Sequence, residues 1–213
     1  IPHNDSLDNI VNTNFTFEVF VYIINSQNTD MPIYTTNTDG ANPNFQIYVD
    51  NSNKLKVGYV NGSGDENLIT LSDDILVSRY SWHHIAFTFT KNSNEFKIWL
   101  DGQNSNTGTS PTIRNASDAI NIGYRKNTEE AYFHGYMSNL RIVTGTTDSG
   151  SLLYTEKFTP ETSNLNVVTN TKLMCLQEPF LLTDLSDTPN TIINTNGVCP
   201  ALKDPFKLPN SFY

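Results

Sequence analysis

The residues of this chain that could do chemistry are a few acidic pairs, two adjacent histidines, two cysteines and a group of aromatics beside a polar loop. Hydrolysis of a glycosidic bond needs two carboxylates facing each other across the sugar, one as acid and one as nucleophile or base. The carboxylates that stand close in sequence are the neighbours Asp65-Glu66, Asp73-Asp74 and Glu129-Glu130. Neighbours in a strand point to opposite faces, so these pairs read as solvated loop charges. His83 and His84 are also adjacent. From a strand they cannot share one metal ion, which argues against zinc; one is expected packed or hydrogen-bonded and the other exposed. Cys175 sits in the apolar run Leu173-Met174-Cys175-Leu176 and reads as a buried thiol acting as a small hydrophobe, with a bridge to Cys199 as the alternative. Serines are scattered through turns, and no nucleophile–base signature emerges. No catalytic residue is assigned.

Sugar binding asks for different residues: exposed aromatics to stack on sugar faces, and polar groups to bond hydroxyls. Tyr124, Tyr132, His134 and Tyr136 cluster around the 126–131 loop. Tyr124 and Tyr136 are expected to pack at the sheet, leaving Tyr132 and His134 as the candidate glycan-binding pair. Trp82 and Trp99 each lie in an apolar strand and are expected in the core.

What must position these residues is a set of strands. Phe15-Thr16-Phe17-Glu18-Val19-Phe20-Val21-Tyr22-Ile23 alternates with period two, and its second face also carries Phe20 and Tyr22, which suits a central strand. Trp82–Thr90, Glu95–Leu100, Phe45–Val49, Leu55–Val60, Leu68–Leu71 and Gly135–Val143 read as further strands, with Asp101-Gly102 as a tight turn. Met31–Thr36, Ala119–Tyr124, Leu173–Gln177 and Thr191–Asn194 complete the series. Roughly a dozen short strands with regular turns and no convincing helix predict a sandwich or barrel.

Composition bounds the function. The chain has 213 residues, enough for one sandwich with a sizeable core. Twelve Phe and 10 Tyr in a chain with only 16% charged residues argue against disorder. Thirteen basic residues face 22 acidic ones, and no Lys or Arg run exists, so nucleic acid is excluded as a partner. No apolar stretch reaches the roughly 18–20 residues needed to span a bilayer as a helix.

The order of five segments resembles laminin G-like domains of the concanavalin A-like lectin/glucanase superfamily: FTFEVFVY from Phe15, WHHIAFT from Trp82, KIWLDGQ from Lys97, INIGYR from Ile120 and HGYMSNLRI from His134. The resemblance implies an all-β, two-sheet antiparallel jelly-roll sandwich. The version in tailed-phage and marine-virus structural proteins is also similar over Thr144–Thr159, KLMCLQ from Lys172, TIINTNG from Thr191 and Asp204-Pro205-Phe206. It implies residues 1–199 as the sandwich and 200–213 as an extended tail packing on the domain or a neighbour. It also implies an earlier strand before Ile1, so the N-terminal sheet edge is expected to be paired or capped. The glucanase branch carries alternating acidic residues on one strand; this chain does not, and no enzyme activity is expected. Relatives often hold Ca²⁺ in loops through hard oxygen donors; Ser138 stands where an Asp is frequent, and no ligand set follows, so no cofactor is assigned beyond a possible Ca²⁺.

The resulting expectation is a non-enzymatic virion structural protein: a capsid decoration, tail-fibre or spike component on the virion exterior. Its partners would be capsid or tail proteins, sister subunits and a host-surface glycan. The alternative is a secreted carbohydrate-binding or adhesion module.

Overall fold

The computed structural model describes residues 1–2, 7, 10–25, 29–37, 43–60, 66–70, 76–109, 113, 115, 119–125, 131–145, 152–177, 182–194 and 204–206. Apart from a 3₁₀ turn at Ile10–Asn12, the elements they form are strands. The strands are β1 (Phe15–Ile23), β2 (Met31–Asn37), β3 (Pro43–Val49), β4 (Leu55–Val60), β5 (Glu66–Thr70), β6 (Trp82–Thr90) and β7 (Glu95–Leu100). Then come β8 (Gln103–Thr109), β9 (Ile120–Ile122), β10 (Tyr124–Arg125), β11 (Ala131–Tyr132), β12 (Gly135–Thr144) and β13 (Thr171–Cys175). They form a six-stranded sheet, β13-β12-β1-β6-β7-β8, a five-stranded sheet, β5-β4-β3-β2-β9, and the small hairpin β10-β11. All the ladders are antiparallel. This is the expected two-sheet jelly-roll sandwich.

Period-two burial builds the core. Phe15, Phe17, Val19, Val21 and Ile23 of β1 all face inward and are at most 1% exposed. They meet Ile85, Phe87 and Phe89 of β6 and Phe45, Ile47 and Val49 of β3 in one continuous cluster. Each fully buried Phe there is worth about 1.5–3 kcal/mol of transfer free energy. As its two-faced pattern predicts, β1 lies inside the larger sheet, between β12 and β6.

The outer face of that sheet is covered too. Residues 152–168 form a strap across it. Leu153 N donates to Thr16 Oγ1 (3.1 Å), Phe158 N to Gly102 O (3.1 Å) and Leu165 N to Asn139 Oδ1 (2.9 Å). Gly102 is required at the second of these contacts: its φ is +74°, and a Cβ would fall on the Phe158 carbonyl oxygen. Under the strap, Trp99 is buried and donates to Thr88 Oγ1 (3.2 Å), edge-on to Phe158. Further along, Phe206 packs on Phe20 with ring centroids 5.0 Å apart.

Several expectations change. Trp82 is half-buried rather than a core residue, because it opens β6 at the rim of the sandwich. Thr191–Asn194 is not a strand, and Ile193 is 56% exposed while Ile192 packs against the core. The N-terminal edge is capped: Ile1 N donates to Ile120 O (2.8 Å) and Ile120 N to Ile1 O (2.9 Å). Cys175 is a buried free thiol, and burial pushes its pKa up. Cys199 lies outside the described residues.

Candidate functional site

The sequence candidates Tyr132 and His134 lie at one end of the sandwich, where β1 ends and β6 and β12 begin. Tyr132 is in strand β11 rather than a loop, opposite Tyr124 of β10. The two rings are 5.1 Å apart at 31°, and Tyr132 is 39% exposed. The hairpin is tied to the five-stranded sheet by Gly123 N to Ile33 O (2.9 Å) and by Thr35 Oγ1 to Tyr124 O (3.0 Å). His134 is half-buried, and its carbonyl accepts from Ile24 N (3.1 Å), which fixes the hairpin to the end of β1.

Beside Tyr124, Arg125 donates from Nη1 to Asp30 Oδ2 (3.1 Å) and Gln46 Oε1 (3.3 Å). Its Nε is buried with no hydrogen-bond partner among the described residues, an unusual state for a polar atom. Asp30 offsets the guanidinium charge of Arg125.

On the six-stranded sheet at the same end, Tyr22 is the cross-strand partner of both Trp82 and Tyr136. Directly opposed residues share a face, so the three rings form a row. Centroids are 5.6 Å apart for Tyr22–Trp82 and 5.8 Å for Tyr22–Tyr136. All three keep part of their surface in solvent. Sequence reasoning missed this row. Each ring lies near the end of its strand, and Trp82 also packs against the cluster of Phe20, Met174 and the strap's Leu165.

Two polar clusters resemble catalytic machinery and are better read as structural. His83 Nδ1 contacts Asp101 Oδ2 (2.7 Å), while Nε2 contacts Ser78 Oγ (2.7 Å) and Ser81 Oγ (2.9 Å). This has the connectivity of a nucleophilic triad, but acyl transfer also needs free amides to hold an oxyanion. The nearby amides of Tyr80, His84 and Asp101 donate to Ile23 O, Asp101 Oδ1 and His84 O. The cluster is a clasp joining the 78–81 turn to the Asp101-Gly102 turn. Burial works against the Asp101 carboxylate, but the bonds from His83 and the His84 amide outweigh it and hold its pKa below the usual range.

The second cluster lies under the strap. Glu18 accepts from Arg141 Nε (2.7 Å) and Tyr154 Oη (2.7 Å), with His84 Nε2 at 3.0 Å. Burial opposes the charged form, yet His84, Arg141 and Tyr154 together hold the Glu18 carboxyl below its ordinary range. His84 Nδ1 is buried without a hydrogen-bond partner among the described residues, and the ring is packed edge-on against Phe20, Tyr154 and Phe158. Of the two adjacent histidines, His84 is thus the packed one, and His83 is hydrogen-bonded at the rim rather than freely exposed. Among the described residues, no three of His, Cys, Asp and Glu come together as a metal site. Asp65, Asp73, Asp74, Glu129 and Glu130 lie outside the described residues.

Architecture and core define a two-sheet jelly-roll β-sandwich. A profile described as the concanavalin A-like lectin/glucanases superfamily, laminin G type, matches residues 1–149. The chain belongs to that superfamily. No match was found among curated proteins. Among solved structures, the chain is similar to a candidate carbohydrate-binding protein of Bacteroides ovatus (TM-score 0.54, 17% identity, 76% of this chain and 45% of that one). It is also similar to domains LG4-5 of the mouse laminin α1 chain (0.50, 14%, 62% and 35%). A third is the CBM40 of a Ruminococcus gnavus sialidase bound to α2,3-sialyllactose (0.50, 13%, 64% and 80%). The chain spans less than half the length of the first two. At these identities the likeness is one of fold. No helix among the described residues is long and apolar enough to cross a membrane.

Proposed function

We propose that this domain is a non-enzymatic, outward-facing carbohydrate-binding module whose site is the β10–β11 rim. The observation that carries this is the exposed Tyr132 ring beside Tyr124 at the end of the sandwich. Tyr132 would stack on a sugar face, with His134 and the polar groups of the rim bonding hydroxyls. Carbohydrate-binding structures among the similar folds support the reading. Sites of this kind place a few polar groups around an aromatic surface. A glycan array probed with the intact chain tests it. Binding that falls at least tenfold in Tyr132→Ala supports the site; a full array without retention overturns it.

A second reading sets the same module on a virion exterior as a capsid, tail-fibre or spike component. Its support is the resemblance of the 144–206 segments, which supply the strap, β13 and the Phe206 contact on Phe20. Copurification with intact particles, through capsid or tail proteins, is its test.

A further inference from the structure

The aromatic row is not needed for a site confined to Tyr132 and His134, yet it lies on the same continuous stretch. Tyr132 leads through His134 and Gly135 directly into Tyr136, and Gly135 pairs with Ile23. A Cβ on Gly135 would fall on the Tyr22 carbonyl oxygen, so the glycine lets β12 close against β1 and bring Tyr136 beside Tyr22. A further aromatic stands two residues ahead of Trp82. Tyr80 is 65% exposed and has φ +62°. A bulky side chain in the left-handed region costs energy, and the hydrogen bond that Tyr80 N donates to Ile23 O (2.9 Å) holds it there. The fold therefore keeps a strained turn that leaves an aromatic ring in water two residues ahead of Trp82.

We infer that Tyr80, Trp82, Tyr22 and Tyr136 form an extended binding face for a neutral, single glycan chain several sugars long, continuous with the Tyr132 rim. This deepens the carbohydrate-binding reading and rests on it. The C–H faces of pyranose rings are apolar with slightly positive hydrogens, which suit the negative faces of aromatic rings. Successive rings in the row are turned by 61° and 58°. A coplanar row would suit a flat crystalline surface; a turned row suits a chain that rotates from one sugar to the next. Charge selects against acidic polymers: the chain carries −9 overall, and Asp30 offsets the Arg125 guanidinium.

The test is titration of the intact chain with cello-, xylo- and laminari-oligosaccharides from disaccharide to hexasaccharide, followed by tryptophan fluorescence. Trp99 is 1% exposed, so the solvent-sensitive signal comes from Trp82. For one series, affinity should rise at least tenfold from disaccharide to tetrasaccharide. Trp82→Ala, titrated by calorimetry because it removes the reporter, should flatten that rise. Tyr80→Asn relieves the left-handed strain, so it should raise Tm while weakening tetrasaccharide binding at least threefold; a purely structural Tyr80 would leave binding unchanged. Binding that depends on Tyr132 but shows no length dependence and no Trp82 signal overturns this inference and leaves the proposed module standing. Absence of binding in every series, together with an empty glycan array, overturns both.

Discussion

Glu18 and Arg141 face each other across β1 and β12, with Glu18 Oε1 2.7 Å from Nε and 2.6 Å from Nη2 of Arg141, and both side chains are at least nine-tenths buried. The pair sits between the six-stranded sheet and the strap, and Arg141 Nη1 also donates to Asn166 O (2.6 Å). It therefore joins the sheet to the segment that covers it. Such a pair is costly to desolvate and more costly to break from one side.

Removing one partner is expected to destabilise strongly. Glu18→Gln or Arg141→Met should each lose about 3–5 kcal/mol in urea unfolding. The double variant should lose clearly less than the sum, because no lone buried charge remains.

Acid should act through the same carboxylate. Glu18 and Asp101 both have folded pKa values below their ordinary values. A depressed carboxylate contributes stability that is fully present above its unfolded pKa and is lost as pH falls through the folded one. Stability should thus hold from neutral pH to about pH 5 and fall below about pH 4, the ordinary carboxylate range. Glu18→Gln should flatten that fall. A loss centred near pH 6 to 7 would contradict the assignment.

The strap should depend on the Asp101-Gly102 turn. Asp101 (φ +51°) and Gly102 (φ +74°) are both left-handed, and Gly102→Ala would press on the Phe158 carbonyl. The variant should speed protease cleavage and amide exchange within 152–168, while exchange in β3 and β4 stays near wild type.

Cys175 should be inert in the native state. It is wholly buried, and burial raises its thiol pKa, which suppresses the reactive thiolate. In a Cys199→Ser background, a disulfide reagent at pH 8 should label it only after denaturant is added.

The alternation of FTFEVFVY and WHHIAFTFT made the sandwich legible, and the two-faced pattern of β1 placed it inside its sheet. A charged residue in that strand was a readable cue: Glu18, amid apolar residues on both faces, had to find partners. Their identity was not readable, because His84, Arg141 and Tyr154 come from 66 to 136 residues away. Trp82 was misplaced for a related reason. Local pattern shows which way a side chain points, not how near the strand's end stands to the rim. Tyr132 and His134 were singled out as candidates from type and clustering, whereas the Tyr22–Trp82–Tyr136 row needed the register of three strands.

The most direct test of the account is amide and aromatic chemical-shift mapping of the intact, isotope-labelled chain against the tightest glycan from the array. The account predicts perturbations at Tyr124, Tyr132, His134 and Tyr136, extending to Tyr22 and Trp82 with a longer chain, and no change at the opposite turns around Asn12 or Asn94. Perturbations confined to those opposite turns, or none from any glycan, would contradict it.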